Sequence, residues 1–185
     1  SRSGYLPLLE LSVKEDPNDD RNMHYLGREY MYHEKWNECI DTLIKHLNLP
    51  TALWKDERCA SMRFIARSYK NLNRIEESRM WLKKAINEAP YLREPWIELG
   101  LLEYENNNYE TAIFYVEEAL KINTREKTYI NEIFSWNETP YDLLSICYFN
   151  IGNFDKSLEN INIALSINPN DERLISNKKI IESEL

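Results

Sequence analysis

Apolar residues recur along this chain at intervals of three and four, the spacing of helices with one buried stripe. The stripes come in pairs, and the first of each pair carries a small residue amid bulky ones. Setting that small residue at repeat place 8 divides the sequence into four blocks, 20–51, 59–92, 93–126 and 138–171. Place 8 then holds Gly27, Ala66, Gly100 and Ser145, and place 20 holds Cys39, Ser78, Ala112 and Ser157. Small residues on both helices of a pair let their backbones approach, and here place 8 is expected to meet place 20. Bulky residues at places 4, 7, 11, 17 and 24 fill the space around the crossing, such as Leu26, Tyr30, Trp36 and Leu43 in the first block. The third block departs at place 11, where Glu103 stands and Tyr104 follows.

The spacing is irregular. Gly27 to Ala66 is 39 residues, Ala66 to Gly100 is 34, and Gly100 to Ser145 is 45. The outer two intervals imply insertions at 54–58 and 127–137. The first is expected to lengthen the helix that follows it, with Thr51 capping a helix that starts near Ala52. The second carries Tyr129, Ile130, Ile133 and Phe134 at helical spacing and reads as a short amphipathic helix. Thr139 is expected to cap the next helix, with Pro140 in its first turn. Tyr5 to Glu15 reads as a helix ending at Asp16-Pro17. Residues 171–185 read as a capping helix, with Leu174, Ile175 and Ile180 on its apolar side.

Trp96-Ile-Glu-Leu99-Gly100 has the form W-x2-L-G, and Ala112 and Val116 follow it at the right distance. This block resembles a tetratricopeptide repeat, whose period is about 34 residues. The resemblance implies an all-α fold: a tetratricopeptide-type helical-hairpin solenoid (a right-handed superhelix) of about four repeats, plus an N-terminal helix and a C-terminal capping helix. The whole of 1–185 is expected to be a single domain. It also implies that the first helix of each pair lines a concave groove, with places 2, 5, 9 and 12 facing it. The candidate groove residues are His24, Arg28 and Met31 in the first block, Arg63, Arg67 and Lys70 in the second, and Ile97, Leu101 and Tyr104 in the third. Thr139, Asp142, Ile146 and Phe149 hold the same places in the fourth. The N-terminal half of the groove is thus basic, and the later half is apolar with acidic members. A peptide or protein segment bearing acidic groups is the expected partner. The Lys/Asn clamp with which some such domains hold chaperone tails is not matched, because no Asn falls at the required places.

Charge narrows the partner class. The formal net charge is −8, with 31 acidic and 23 basic residues, the wrong balance for a nucleic-acid binder. No apolar run is long enough to span a membrane, and Ser1 to Gly4 lacks the apolar core of a signal peptide. The 3 cysteines, Cys39, Cys59 and Cys147, are widely spaced with no C-x2-C, which points to free thiols and a reducing, cytoplasmic setting. Cys39 and Cys147 fall on packed places, while Cys59 begins a block and is expected to be more exposed.

No catalytic residue, metal or cofactor is expected. His24, His33 and His46 show no metal-ligand spacing, and each reads as a surface or packing residue. The acids between Asp16 and Asp20 lack the spacing of a calcium loop. Asn137-Glu-Thr139 matches a glycosylation sequon with no secretion signal to support it. Trp54 is the tryptophan expected to be partly exposed.

Other phrases stand out: Tyr5-Leu-Pro-Leu-Leu-Glu10, Asp16-Pro-Asn-Asp-Asp-Arg21, Tyr25-Leu-Gly-Arg-Glu-Tyr30, Lys55-Asp-Glu-Arg-Cys-Ala-Ser-Met-Arg63 and Leu92-Arg-Glu-Pro95. They resemble the tetratricopeptide region that follows a family-2 glycosyltransferase domain in many bacterial proteins. The resemblance implies an accessory domain with a glycosyltransferase domain upstream in the same polypeptide. The transferase domain itself, with its α/β sheet and D-x-D, is not in this chain, so no catalytic residues carry over. Three readings remain open: a peptide-binding module, a glycosyltransferase accessory domain, and a self-associating structural element using Tyr129 to Trp136.

Overall fold

A computed structural model describes residues 4–185; Ser1 to Ser3 of the N-terminal reading lie outside the described residues. Among the described residues the structure is all-helical, with ten α-helices and no strand: α1 (Tyr5–Glu15), α2 (Asp20–Tyr32), α3 (Trp36–Asn48), α4 (Lys55–Asn71), α5 (Ile75–Glu88), α6 (Arg93–Glu105), α7 (Tyr109–Leu120), α8 (Thr139–Asn150), α9 (Phe154–Ile167) and α10 (Glu172–Glu182). Helices α2/α3, α4/α5, α6/α7 and α8/α9 form the four expected hairpins. The chain divides into two compact units, Ser1–Pro90 and Tyr91–Leu185, so α1–α5 make the first and α6–α10 the second.

Each hairpin turns in the same way. The residue at repeat place 15 has positive φ in all four: Glu34 at 58°, Asn73 at 58°, Asn107 at 61° and Gly152 at 78°. The N–H of the next residue reaches back to the carbonyl five places earlier, as in Lys35 to Tyr30, Arg74 to Tyr69, Asn108 to Glu103 and Asn153 to Tyr148. This is the Schellman ending, in which one left-handed residue satisfies the last helical carbonyls. Gly and Asn suit that backbone; Glu34 adopts it at a cost.

The small residue at place 8 does its predicted work against a different partner. A Cβ added to Gly27 would lie 2.2 Å from Leu43 Cδ2, and one added to Gly100 would lie 2.6 Å from Val116 Cγ2. Place 8 therefore receives the bulky residue of place 24, with place 20 beside it. In the last repeat the two small residues do meet. Ser145 Oγ donates to the Ser157 carbonyl at 2.9 Å, and Ser157 Oγ donates to the Ser145 carbonyl at 2.8 Å.

The insertions differ from each other. The first lengthens α4 at its N-terminus as expected, but α4 starts at Lys55 with Trp54 as its N-cap, so Thr51 caps nothing. Arg58 fixes the preceding loop. Its Nη1 donates to the carbonyls of Leu47 (2.9 Å) and Ala52 (3.1 Å), and its Nε donates to Glu88 at 2.8 Å. The extra turn also places Cys59 inside the helix, where it is fully buried rather than exposed.

The second insertion is not the predicted amphipathic helix: only a 3-10 turn, Ile133–Ser135, forms there. The segment is held by polar clamps from α6. Arg93 donates from Nε to the Ile122 carbonyl (2.8 Å) and from Nη1 to the Ser135 carbonyl (3.2 Å). Glu94 Oε1 accepts from Asn131 Nδ2 at 3.2 Å and from the Glu132 N–H at 3.1 Å. Backbone groups satisfied this way have no need of a helix. Ile130 packs inward while Ile133 is 73% exposed, so the apparent helical stripe is split between core and solvent.

Two caps also shift. The N-cap of α8 is Glu138 rather than Thr139, and Asn137 Oδ1 accepts from the Thr139 N–H at 2.9 Å. The sequon residues thus shape a helix entry. In α10 the packed residues are Leu174 and Ile181, whereas Ile175 and Ile180 are exposed. Leu174 and Ile181 lie seven apart, two turns along one helix line, and Ile175 and Ile180 fall to either side of it. Trp54 is 42% exposed, as expected.

Candidate functional site

In the first unit the candidate residues come from α2 and α4, which pack side by side. His24 and Arg63 are sealed from solvent, at 0% and 1% exposure, and Met31 is buried. Arg28, Arg67 and Lys70 are half-buried and form the accessible edge. The ring of Phe64 organises the group. His24 stacks on it with centroids 5.9 Å apart, and the Arg63 and Arg67 guanidinium carbons lie 5.5 Å and 5.3 Å from its centroid. Arg28 sits 4.9 Å over the Tyr25 ring. Arg28, Arg63 and Arg67 thus lie against aromatic faces, which attract guanidinium charge. Glu29, next to Arg28, is buried within the same layer.

Beneath that edge lies a polar chain absent from the sequence reading. His24 Nδ1 and Ser61 Oγ are 2.7 Å apart, and the same hydroxyl lies 2.9 Å from His46 Nδ1. His46 Nε2 is then 3.3 Å from Glu57 Oε1. Burial pushes the His24 pKa down to about 3. The neighbouring Glu57 opposes that shift, while His46, Arg28 and Arg63 add to it. His24 is thus a neutral, hydrogen-bonding residue of the interior. His33, the third histidine, is exposed. Ser61 gave no sequence signal, and Glu57 gave only its place in the 54–58 insertion. His46 gave one: it stands at repeat place 27, where the other three blocks have Ala85, Ala119 and Ala164, all fully buried.

In the second unit the candidates lie on α6. Ile97 is buried at 1% exposure, Tyr104 is half-buried and Leu101 is exposed. Glu103, the departure at place 11, is buried and accepts from Asn108 Nδ2 at 2.7 Å, which bonds it to the hairpin turn. On α8 and α10, Ile146, Phe149, Asn177, Ile180 and Ile181 line an apolar cleft of about 180 Å³. Ile146 and Phe149 hold repeat places 9 and 12 of the fourth block. Arg173 of α10 ties that helix to α8 by donating to both carboxylate oxygens of Asp142, at 3.1 Å and 2.6 Å.

Thiol chemistry finds no support in this geometry. All three cysteines are free and buried. Burial pushes the Cys39 and Cys147 thiols up to about 11 and about 12, well away from the thiolate form a nucleophile needs. The acids before α2 act as turn and cap: Asp16 Oδ1 accepts from the Asn18 N–H, and Asp19 Oδ1 from the Asn22 N–H. No helix among the described residues is long and apolar enough to cross a membrane.

The tetratricopeptide repeat family model matches residues 64–91 and 94–125, the second and third hairpins. No curated protein matches the chain. Among solved structures, the chain is similar to MamA at TM-score 0.73 and 18% identity, covering 93% of this chain and 91% of that one. It is similar to the Cut9–Hcn1 hetero-tetramer of the APC/C at TM-score 0.74 and 16% identity, covering 98% of this chain and 33% of that one. It is also similar to YrrB, titled a TPR protein with an unusual peptide-binding site, at TM-score 0.69 and 15% identity, covering 96% and 84%. At these identities the likeness speaks to fold. Two of the four hairpins carry the tetratricopeptide repeat signature, and the fold of the chain is that of a tetratricopeptide-type helical solenoid.

Proposed function

We propose that this chain is a non-catalytic interaction module that binds a peptide or protein segment along its first helices. The observation that carries the reading is the contrast among groove places. Arg28, Arg67 and Lys70 offer a basic edge in the first unit, and Ile146 and Phe149 open onto an apolar cleft in the second. Acidic groups match the edge of the first unit, and an apolar side chain matches the cleft of the second. A basic edge on a chain of net charge −8 favours a local, oriented contact over general attraction to polyanions. YrrB, a TPR protein with an unusual peptide-binding site, adds support by fold analogy alone.

The test is a peptide array varying acidic and apolar positions, followed by titration of the best binder against wild type and an Arg67→Glu/Lys70→Glu variant. These half-buried positions can take the charge reversal, whereas Arg63, at 1% exposure, would report misfolding instead. The reading predicts a loss of about tenfold or more in affinity, equivalent to roughly 1.4 kcal/mol. Unchanged affinity would remove the basic edge from the binding surface.

A second reading, an accessory domain of a bacterial family-2 glycosyltransferase, rests on the quoted phrases. Several of their residues are fold anchors here: Glu10 accepts from the Tyr30 hydroxyl, and Arg58 and Arg93 clamp the insertions. The reading frame that encodes the parent protein tests this second reading, and lack of a transferase domain there would end it.

A further inference from the structure

We propose that the first unit holds a divalent transition-metal site, suited to zinc, formed by Asp20, His46 and Glu57. Each of the three places one ligand atom within 4.8 Å of the others. They come from three helices: Asp20 opens α2, His46 is in the last turn of α3, and Glu57 is in the first turn of α4.

His46 supplies an observation independent of this clustering. Its side chain is fully buried, and its Nε2 has no hydrogen-bond partner. Glu57 Oε1 lies 3.3 Å away, within ion-pairing range yet out of line for a hydrogen bond. The edge of a zinc tetrahedron with bonds of about 2.0–2.1 Å is roughly 3.3 Å.

The surroundings prepare His46 for ligation. Ser61 Oγ lies 2.9 Å from His46 Nδ1 and 2.7 Å from His24 Nδ1. One hydroxyl can accept from the first ring and donate to the second. That assignment puts the proton of His46 on Nδ1 and leaves the Nε2 lone pair aimed at the site. It also keeps His24 neutral, in accord with its burial. An outer partner fixing the far nitrogen of a ligand histidine is a general feature of metal sites. Asp20, half-buried at the start of α2, supplies the third ligand atom. One nitrogen and two carboxylate oxygens leave a fourth position for water.

The repeat pattern points the same way. His46 fills the place that is alanine in the other three hairpins, and Glu57 lies within the 54–58 insertion. Two departures from the repeat meet at one point, where local rules are broken together.

The experiment uses the full chain, stripped with a chelator and titrated with zinc chloride by calorimetry, with cobalt(II) absorption as a second readout. The expected result is one zinc per chain and a tetrahedral cobalt spectrum. The Asp20→Asn variant should bind at least about tenfold more weakly, and His46→Gln should lose binding. His33→Gln, an exposed histidine outside the site, should bind like wild type. Asp20 is partly exposed at a helix start, so its variant keeps the test valid if His46→Gln fails to fold. Lack of zinc binding by wild type would overturn the proposal, as would equal affinity in Asp20→Asn or loss on changing His33. None of these outcomes depends on peptide binding.

Discussion

The two units share one hairpin geometry and fill it differently. In the first, the layer between first helices is built around charge: His24, Glu29 and Arg63 are each at 2% exposure or less, and His46 and Glu57 lie beside them. In the second, α6, α7 and α8 close over Ile97, Ile113, Val116, Leu143, Leu144 and Cys147. The repeat requires bulky residues around one crossing and a left-handed residue at one turn. It leaves other places open, and the units diverge at those. Repeat place 5 is His24 and Arg63 in the first unit but Ile97 in the α6 hairpin of the second. A polar interior held by hydrogen bonds is costly to disturb by protonation, whereas a hydrocarbon interior is indifferent to it.

Acid is the largest way to break the comparison. His24 has a folded pKa near 3 against 6.5 for the free side chain, from burial, with Glu57, His46, Arg28 and Arg63 facing it. Between those values the unfolded chain binds the proton and the folded chain does not. Stability is therefore full above pH 6.5 and falls as pH drops toward 3, by of order 5 kcal/mol in total. All three histidines lie in the first unit. Amide exchange between pH 7 and 5 should show protection falling in α2–α4 with little change in α6–α8, and His24→Gln should flatten that slope.

The insertion clamps come next. Arg93→Ala frees the carbonyls of Ile122 and Ser135 and removes the guanidinium 4.0 Å from the Trp136 ring centroid. Loss of about 2–3 kcal/mol is expected, with new protease cleavage between Lys121 and Asn137. Arg58→Ala in the first unit should cost a similar amount and open the Leu49–Trp54 loop instead. Equal cleavage at both loops in both variants would show that the clamps do not act locally.

A smaller effect distinguishes the helix crossings. Ser145→Ala removes one of two reciprocal hydrogen bonds in the second unit and leaves the Ser157 hydroxyl its own bond to a carbonyl. Roughly 1 kcal/mol should be lost in denaturant unfolding. Gly27→Ala in the first unit should cost more, about 1–3 kcal/mol, because its Cβ meets Leu43 Cδ2 at 2.2 Å.

The smallest pair has opposite signs. Glu34→Gly relieves a left-handed backbone at φ 58° and should raise stability by several tenths of a kcal/mol to about 1. Gly152→Ala, at φ 78°, should lower it by about 1. Thermal melts showing the same sign for both would contradict the shared turn.

The four hairpins were legible because their signal is repeated: Leu26-Gly27, Ile65-Ala66, Leu99-Gly100 and Leu144-Ser145 report one crossing four times. The second insertion was misread because Tyr129, Ile130, Ile133 and Phe134 have helical spacing by coincidence. The long-range hydrogen bonds of Arg93 and Glu94 decide that segment, and such bonds leave no periodic trace. The candidate residues fall on α2, α4 and α6, but their exposure was not legible. Whether Arg63 or Arg67 faces solvent depends on neighbours from other helices. His46 and Glu57 lie 11 residues apart in sequence, a spacing that matches no local metal motif, so only the folded hairpins bring them within 3.3 Å.

Hydrogen–deuterium exchange with the array-selected peptide tests whether the first helices carry the binding surface. The account predicts slowed exchange in 24–31 and 63–70 on α2 and α4, and in 142–149 on α8. Protection confined to second helices, such as 76–87 on α5 or 110–118 on α7, would contradict it.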